Sequence, residues 1–393
     1  MNFSTNAPLI ALQTGWPSLW LGDPGIGKTQ MFYSLARFFL AEAKAAGRIP
    51  ESTPLDHYAP DLVLSHYDPS DIGGIPSIAF DSDGDSVQSR ALTTWAKTLI
   101  QLGEGIIFID EINTAMPSQL AAALKLINEK KTGDHTLPDS VRIVAAGNRT
   151  NVGGNYEMTA TASNRLWHYE YRADMDVWAG GFLAGFPDPE IKLLPETWRN
   201  NVPEMRALIV GFLRSKPELL HSLPADDSEQ SKPWPSPRSW DMAADLLAAA
   251  KEYDGNEADK GELLLGAVGP AGYEALSYIE HADLQNPEEI LAEPIEDFVL
   301  PERGDQKFAV LGSVAAAVQR NLTDDRWIKG WDVMASAATQ GAMDVAVVSA
   351  RVLCSAYKST LAESGHRLPT PATQLPPFIE ILSAAGLYGK SGK

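Results

Sequence analysis

The sequence predicts an α/β protein: a first half that builds a parallel sheet covered by helices, and a second half that is all helix. Three observations predict it. A glycine-rich turn joins a short apolar strand to an amphipathic helix over residues 18–47; an unbroken apolar run, Ile106 to Ile109, ends in two acids; and strand patterning fades after about residue 173. A chain of 393 residues exceeds one ordinary core, and its 44% hydrophobic content is ample to fill two or three.

Taking the elements in order, residues 18–47 read SLWLGDPGIGKTQMFYSLARFFLAEAKAAG. Apolar residues at 31, 32, 35, 36, 39, 40 and 43 trace one helical face, and Gly47 suits the C-cap. The turn Gly22-Asp23-Pro24-Gly25-Ile26-Gly27-Lys28-Thr29 fits G-x-x-x-x-G-K-[ST] between a strand and a helix. Glycines there let backbone N–H groups aim inward at the positive end of the helix, a nest for phosphate. Lys28 then reaches the β and γ phosphates and Thr29 holds Mg²⁺. The plainer alternative is a glycine turn opening an ordinary helix.

The next strand emerges from EGIIFIDEIN and places Asp110 and Glu111 at its carboxyl end, where open α/β sheets bind ligands. Asp110 suits water-mediated Mg²⁺ coordination and Glu111 suits polarising an attacking water, the division that phosphoryl transfer to water requires. Alone, such an apolar run ending in two acids equally marks a strand entering a helix cap. A third strand, VRIVAAGNRT at 141–150, ends in Gly147-Asn148; the asparagine can orient the γ phosphate or simply occupy a turn. Residues 158–171, MTATASNRLWHYEY, read as a helix ending at Asn164-Arg165 and a strand beyond it. Arg165 at a helix C-terminus also satisfies the dipole with no further role.

GDPGIGKT, IIFIDEIN and AAGN, in that order, resemble the Walker A, Walker B and sensor 1 motifs of AAA+ ATPases, most narrowly the MoxR-type branch with its magnesium-chelatase and dynein-like relatives. The resemblance covers roughly residues 15–250. It implies a three-layer P-loop NTPase core with a parallel sheet, an all-α lid and a helical C-terminal extension. The domains it implies are 1–172 for the core, 173–290 for a connecting helix and lid, and 291–393 for the extension. It implies ATP and Mg²⁺ as cofactors: Gly22, Asp23, Pro24, Gly25, Ile26, Gly27, Lys28, Thr29, Gln30 and Asp110 would bind nucleotide, with Thr29 and Asp110 at the metal. Glu111, Asn148, Arg165 and Arg238 would be catalytic. Arg165 matches the arginine finger that reaches a neighbouring subunit's γ phosphate, and Arg238 matches sensor 2, serving either its own or the adjacent subunit. Residues 68–90 match an insertion in the family's second helix and 130–140 its hairpin before sensor 1. Such inserts face a ring's pore, which makes Ile72, Gly73, Gly74 and Ile75 candidates for touching a client. Thr114 stands where relatives often carry arginine, and Leu166 where phenylalanine is commoner.

The second half alternates helical stretches with proline, glycine and acidic breaks. SKPWPSPRSW marks the entry to a helix beginning near Ser236 to Arg238, and a cation in that first turn works against the helix dipole, as a site residue would and a linker residue need not. Cys354 is the single cysteine and reads as a small core residue, while seven histidines are scattered without metal spacing. The formal charge of −19, with no basic stripe, disfavours a nucleic-acid or membrane partner. No basic leader precedes an apolar core, so the expectation is a cytoplasmic protein.

The expected function is Mg²⁺-dependent ATP hydrolysis by a homo-oligomer, by resemblance a hexameric ring, that remodels or matures a protein partner with a von Willebrand A-type domain. The alternative is a nucleic-acid-associated AAA+ motor or restriction-type NTPase subunit, which needs a basic stripe on the folded surface.

Overall fold

Nine strands form among the described residues of the computed structural model: β1 Ser18–Leu21, β2 Asp61–Val63, β3 Ile75–Phe80, β4 Ser86–Ala91, β5 Gly105–Asp110, β6 Lys131–Thr132, β7 His135–Thr136, β8 Val141–Gly147 and β9 Trp167–Glu170. The described residues are 3–80, 82, 84–148, 158–186, 189, 191–281, 284–373 and 375–387. Positions 81 and 83 of the expected insert, and 149 and 150 of the expected third strand, lie outside them. Five strands make one sheet in the order β2-β5-β8-β1-β9, all neighbours parallel. Its central strands β5 and β8 are largely apolar and buried, as expected where helices cover both faces of a parallel sheet.

Eight helices accompany the sheet: α1 Ala7–Thr14, α2 Lys28–Ala45, α3 Leu55–Tyr58, α4 Pro69–Gly73, α5 Thr94–Leu102, α6 Pro117–Glu129, α7 Ala160–Ser163 and α8 Met175–Ala184. The apolar face expected of α2 is buried, and Phe32 stacks on Phe108 of β5 with ring centroids 4.2 Å apart. Gly47 lies one position past the C-cap Ala46, at φ 68°, a left-handed conformation that ends the helix. The insert at 68–90 is more ordered than its turn-rich composition suggests: α4 leads into the antiparallel β3–β4 hairpin. Ile72 is 2% exposed and packs in the core with Leu126 and Ile127 of α6, which removes it from the residues able to touch a client. The exposed apolar residues of this hairpin are instead Ile75, Ile78, Phe80 and Val87. The 130–140 segment forms the β6–β7 hairpin, and it is pinned to the insert: Thr132 Oγ1 donates to Ile72 O at 2.7 Å, and Arg90 N–H to Asp134 Oδ2 at 3.0 Å.

The remaining helices are α9 Val202–Ser215, α10 Asp227–Gln230, α11 Pro237–Tyr253, α12 Glu257–Val268, α13 Ala271–His281, α14 Pro287–Ala292, α15 Gly304–Arg320, α16 Asp324–Ala337, α17 Met343–Ser364 and α18 Pro376–Ala384. The chain divides into two units. The first comprises Met1–Leu194, Ser222–Leu246 and Tyr253–Gly272, and the second Pro195–His221, Leu247–Glu252 and Tyr273–Lys393.

In the first unit α12 closes on the edge strand β9, with Trp167 Nε1 donating to Leu263 O at 3.0 Å; a Cβ at Gly266 would meet His168 O at 2.2 Å, so only glycine permits this approach. In the second, small residues on α9 and α15 allow a close crossing: a Cβ at Gly312 would come 2.6 Å from that of Ala207. Trp327, Trp331, Leu353 and Phe378 centre its core. Cys354 belongs to that core, where burial pushes its thiol up to about 11 and keeps it protonated. The run Asp324–Ser364 is long and apolar enough to cross a membrane by length and composition; half of its most apolar window is buried within the protein, as in a core helix.

Candidate active site

The sheet order reverses direction between β1 and β8, and the loops that follow these two strands carry Lys28 and Asn148. This is where an open α/β sheet leaves a crevice at its carboxyl ends. Gly25 and Gly27 have φ of 80° and 97°, which side-chain-bearing residues rarely adopt, and they turn the loop so that α2 begins at Lys28 with no side chain capping its first N–H groups. Gly22 is needed for a different reason: a Cβ there would lie 2.5 Å from Tyr171 O.

Lys28 is 7% exposed, and its ammonium donates to Gly22 O at 2.9 Å, Asp23 O at 3.0 Å and Asn148 Oδ1 at 3.1 Å. Burial lowers its pKa, while the charges of Asp110 and Asp23 oppose that shift. Thr29 Oγ1 donates to Asp110 Oδ2 at 3.1 Å, so a hydroxyl and a carboxylate oxygen sit side by side, hard donors of the kind Mg²⁺ selects. The uncapped helix start, the two left-handed glycines and this oxygen pair fit a nucleotide triphosphate with Mg²⁺. Asp23, Pro24, Gly25 and Gln30 are exposed around the loop, with Ile26 and Gly27 half-buried.

Glu111 is exposed and held at φ 53°, ψ 38°, a left-handed conformation uncommon for glutamate. Its backbone N–H donates to Asp110 Oδ1 at 2.8 Å, and its carbonyl accepts from Thr114 N–H at 2.8 Å and Thr114 Oγ1 at 2.9 Å. Thr114 therefore braces the turn that presents Glu111.

Arg165 and Arg238 form a second group. Arg165, just past α7, donates from Nη1 to Thr161 O at 2.6 Å and has a buried Nε without a partner. Its pKa is lowered by burial first and then by the charge of Arg238. Arg238 is exposed in the first turn of α11. Both arginines share a mount: Ser163 Oγ donates to Lys232 O at 2.7 Å, Asn164 Nδ2 to Trp234 O at 3.0 Å, and Ser236 Oγ to Asn164 Oδ1 at 2.7 Å. Lys28 has Asp110 and Asp23 as its electrostatic neighbours, whereas Arg165 has Arg238.

Sequence reasoning passed over three features. Asn113 hydrogen-bonds the backbone of Asn148, and its only signal was its place two residues after Glu111. Tyr33 OH donates to Asp61 Oδ2 at 2.9 Å, and burial, then Asp110's charge, raises Asp61's pKa despite that bond. His168 is buried beside Ser163, where desolvation lowers its pKa to about 4.

A doubly-covered parallel sheet whose first strand runs into this loop, with a Thr29–Asp110 oxygen pair beside it, defines a P-loop nucleotide hydrolase. Residues 17–166 match the family model of the AAA domain, dynein-related subfamily. The crystal structure of "a putative ATPase from Cytophaga hutchinsonii ATCC 33406" is similar at a TM-score of 0.35 and 15% identity, covering 67% of this chain and 79% of that one. No curated protein matches the chain.

Proposed function

We propose that the protein hydrolyses ATP with Mg²⁺ as a ring, by resemblance a MoxR-type hexamer, in which each chain offers Arg165 and Arg238 to its neighbour's nucleotide and the work remodels a protein client. The observation that carries this reading is that Arg165 and Arg238 are mounted on one hydrogen-bonded junction, through Asn164 and Ser236, and that neither is among the hydrogen-bond partners of Lys28. The charge of Arg238 lowers the pKa of Arg165, so the two cations disfavour each other. Such an arrangement is stabilised by an anion from elsewhere, and a γ phosphate on an adjacent chain supplies one.

In this reading Lys28 and the α2 amides hold the β and γ phosphates, and Thr29 and Asp110 hold the metal. Mg²⁺ held by Thr29 and Asp110 would supply positive charge to offset that of the phosphates. Glu111 accepts a proton from the attacking water, Asn148 orients the γ phosphate, and Arg165 and Arg238 stabilise charge that develops in the transition state. The net charge of −19 and the exposed Ile78 and Phe80 support a protein client over nucleic acid; a von Willebrand A-type partner and a cytoplasmic setting rest on resemblance.

Complementation tests the central claim. Arg165→Ala and Lys28→Ala are each expected to lose ATPase activity by about 10³-fold, while a mixture recovers part of it, since some interfaces then pair an intact finger with an intact loop. A mixture as inactive as its components would overturn action between chains. Stimulation of hydrolysis by DNA or RNA, falling steeply with salt, would instead favour the nucleic-acid motor.

A further inference from the structure

Asn113 has no task in the nucleotide site as assigned, yet its side chain is only 3% exposed and both of its polar atoms point at one residue. It lies in the short 3-10 turn Ile112–Thr114 that follows β5 and Glu111. Its Nδ2 donates to Asn148 O at 2.5 Å, and its Oδ1 accepts from Asn148 N–H at 3.2 Å. A carboxamide carries a donor and an acceptor side by side, so it can satisfy the N–H and C=O of a single residue as a neighbouring strand would. Gly147 leaves the room for this: a Cβ there would come 2.9 Å from Asn113 Oδ1.

The clamped residue is the one whose side chain accepts from Lys28 Nζ at 3.1 Å. With its backbone held on both sides, Asn148 keeps only its own χ1 and χ2 to decide where its amide points. We propose that Asn113 is a positioning residue for hydrolysis: it ties the sensor Asn148 to the turn that carries Glu111, so that the water-activating carboxylate and the γ-phosphate contact keep a fixed separation. This rests on the reading of Asn148 as the γ-phosphate contact. A catalytic group displaced by about 1 Å can lose on the order of 10²-fold in rate, which sets the scale of the expected effect.

The experiment is a double-mutant cycle on the full chain, with ATPase kinetics and thermal melting for each protein. Asn113→Ala is expected to lower kcat by about 10- to 100-fold while KM for ATP stays within about twofold. In an Asn148→Ala background the same substitution is expected to change kcat by less than about twofold, because the group it positions is gone. Asn113→Asp keeps the volume and the acceptor but turns a second acceptor toward Asn148 O; it should lose kcat as Asn113→Ala does, and it serves if the alanine variant fails to fold. Losses that multiply independently of Asn148→Ala, or a KM rise at unchanged kcat, would show a merely structural residue and overturn the proposal. An unchanged kcat for Asn148→Ala alone would sink the sensor reading first, and the task given to Asn113 with it.

Discussion

Glu111 stores strain where the chemistry is expected. Left-handed backbone costs a non-glycine residue on the order of 1 kcal/mol or more, and here Thr114 offsets it with two hydrogen bonds to the Glu111 carbonyl. Glu111→Gln leaves that backbone unchanged, so it should bind ATP with unaltered affinity yet hydrolyse it at least about 10²-fold more slowly; near-normal turnover would remove it as the base. His168 makes a pH prediction. Its folded pKa of about 4 lies below the ordinary 6.5, so the unfolded chain binds the extra proton between these values. The stabilisation is therefore complete above pH 6.5 and lost as pH falls toward 4, by roughly 3 kcal/mol in all. Denaturant melts across that window should show the slope, and His168→Gln should flatten it. The phosphate-loop residues were legible in the sequence because phosphate chemistry demands those types at those spacings. Asn113 was not, because its partner lies 35 residues away and only the register of β5 and β8 brings them together.

Among the elements, α7 and the segment before α11 act as one mount for Arg165 and Arg238. Asn164 both donates to Trp234 O and accepts from Ser236 Oγ, so Asn164→Ala strands two partners at once. It should cost about 1–3 kcal/mol in a denaturant melt and slow hydrolysis without weakening nucleotide binding; unchanged kcat would separate the mount from the arginines' task. The paired hairpins pose the opposite case, since Ile78 and Phe80 lie on one face of β3 and are not covered by any of the described residues. Replacing both with serine should leave basal ATP hydrolysis within about twofold and abolish coupling to a client, read as loss of client-stimulated turnover. Short hairpins with exposed faces contain few of the buried residues that mark a strand in sequence, so the resemblance and not the residue pattern pointed to these two segments. Ile72 was misplaced for a related reason: one helical turn, α4, is too short to show a period, and it tucks that side chain against α6.

At the scale of the molecule, the nucleotide-site residues lie in the first unit, while the second has a core of its own. Trp331→Ala should therefore cost the second unit about 3–5 kcal/mol and lower a thermal transition, while ATP binding at 25 °C is retained where that unit stays folded; loss of binding in parallel with partial unfolding would show one cooperative whole. The parallel sheet and the helical second half were legible because unbroken apolar runs and 3.6-residue periodicity are local signals. Which unit each helix joins was not, since that depends on packing between segments far apart in the chain: residues 222–246 and 253–272 return to the unit begun at the N-terminus.

That return has a consequence for how the protein is made. The edge strand β9 leaves the ribosome about a hundred residues before α12, the helix whose Gly266 and Leu263 seat against His168 and Trp167. Until translation reaches α12, the nascent sheet presents an edge strand and a tryptophan that the helix has not yet covered, the ingredients of premature association. A fragment stopped after residue 194 would keep every nucleotide-site residue except Arg238 and still be expected to precipitate on expression. One carried through residue 272 should stay in solution longer, because only then does α12 cover Trp167 on the edge strand.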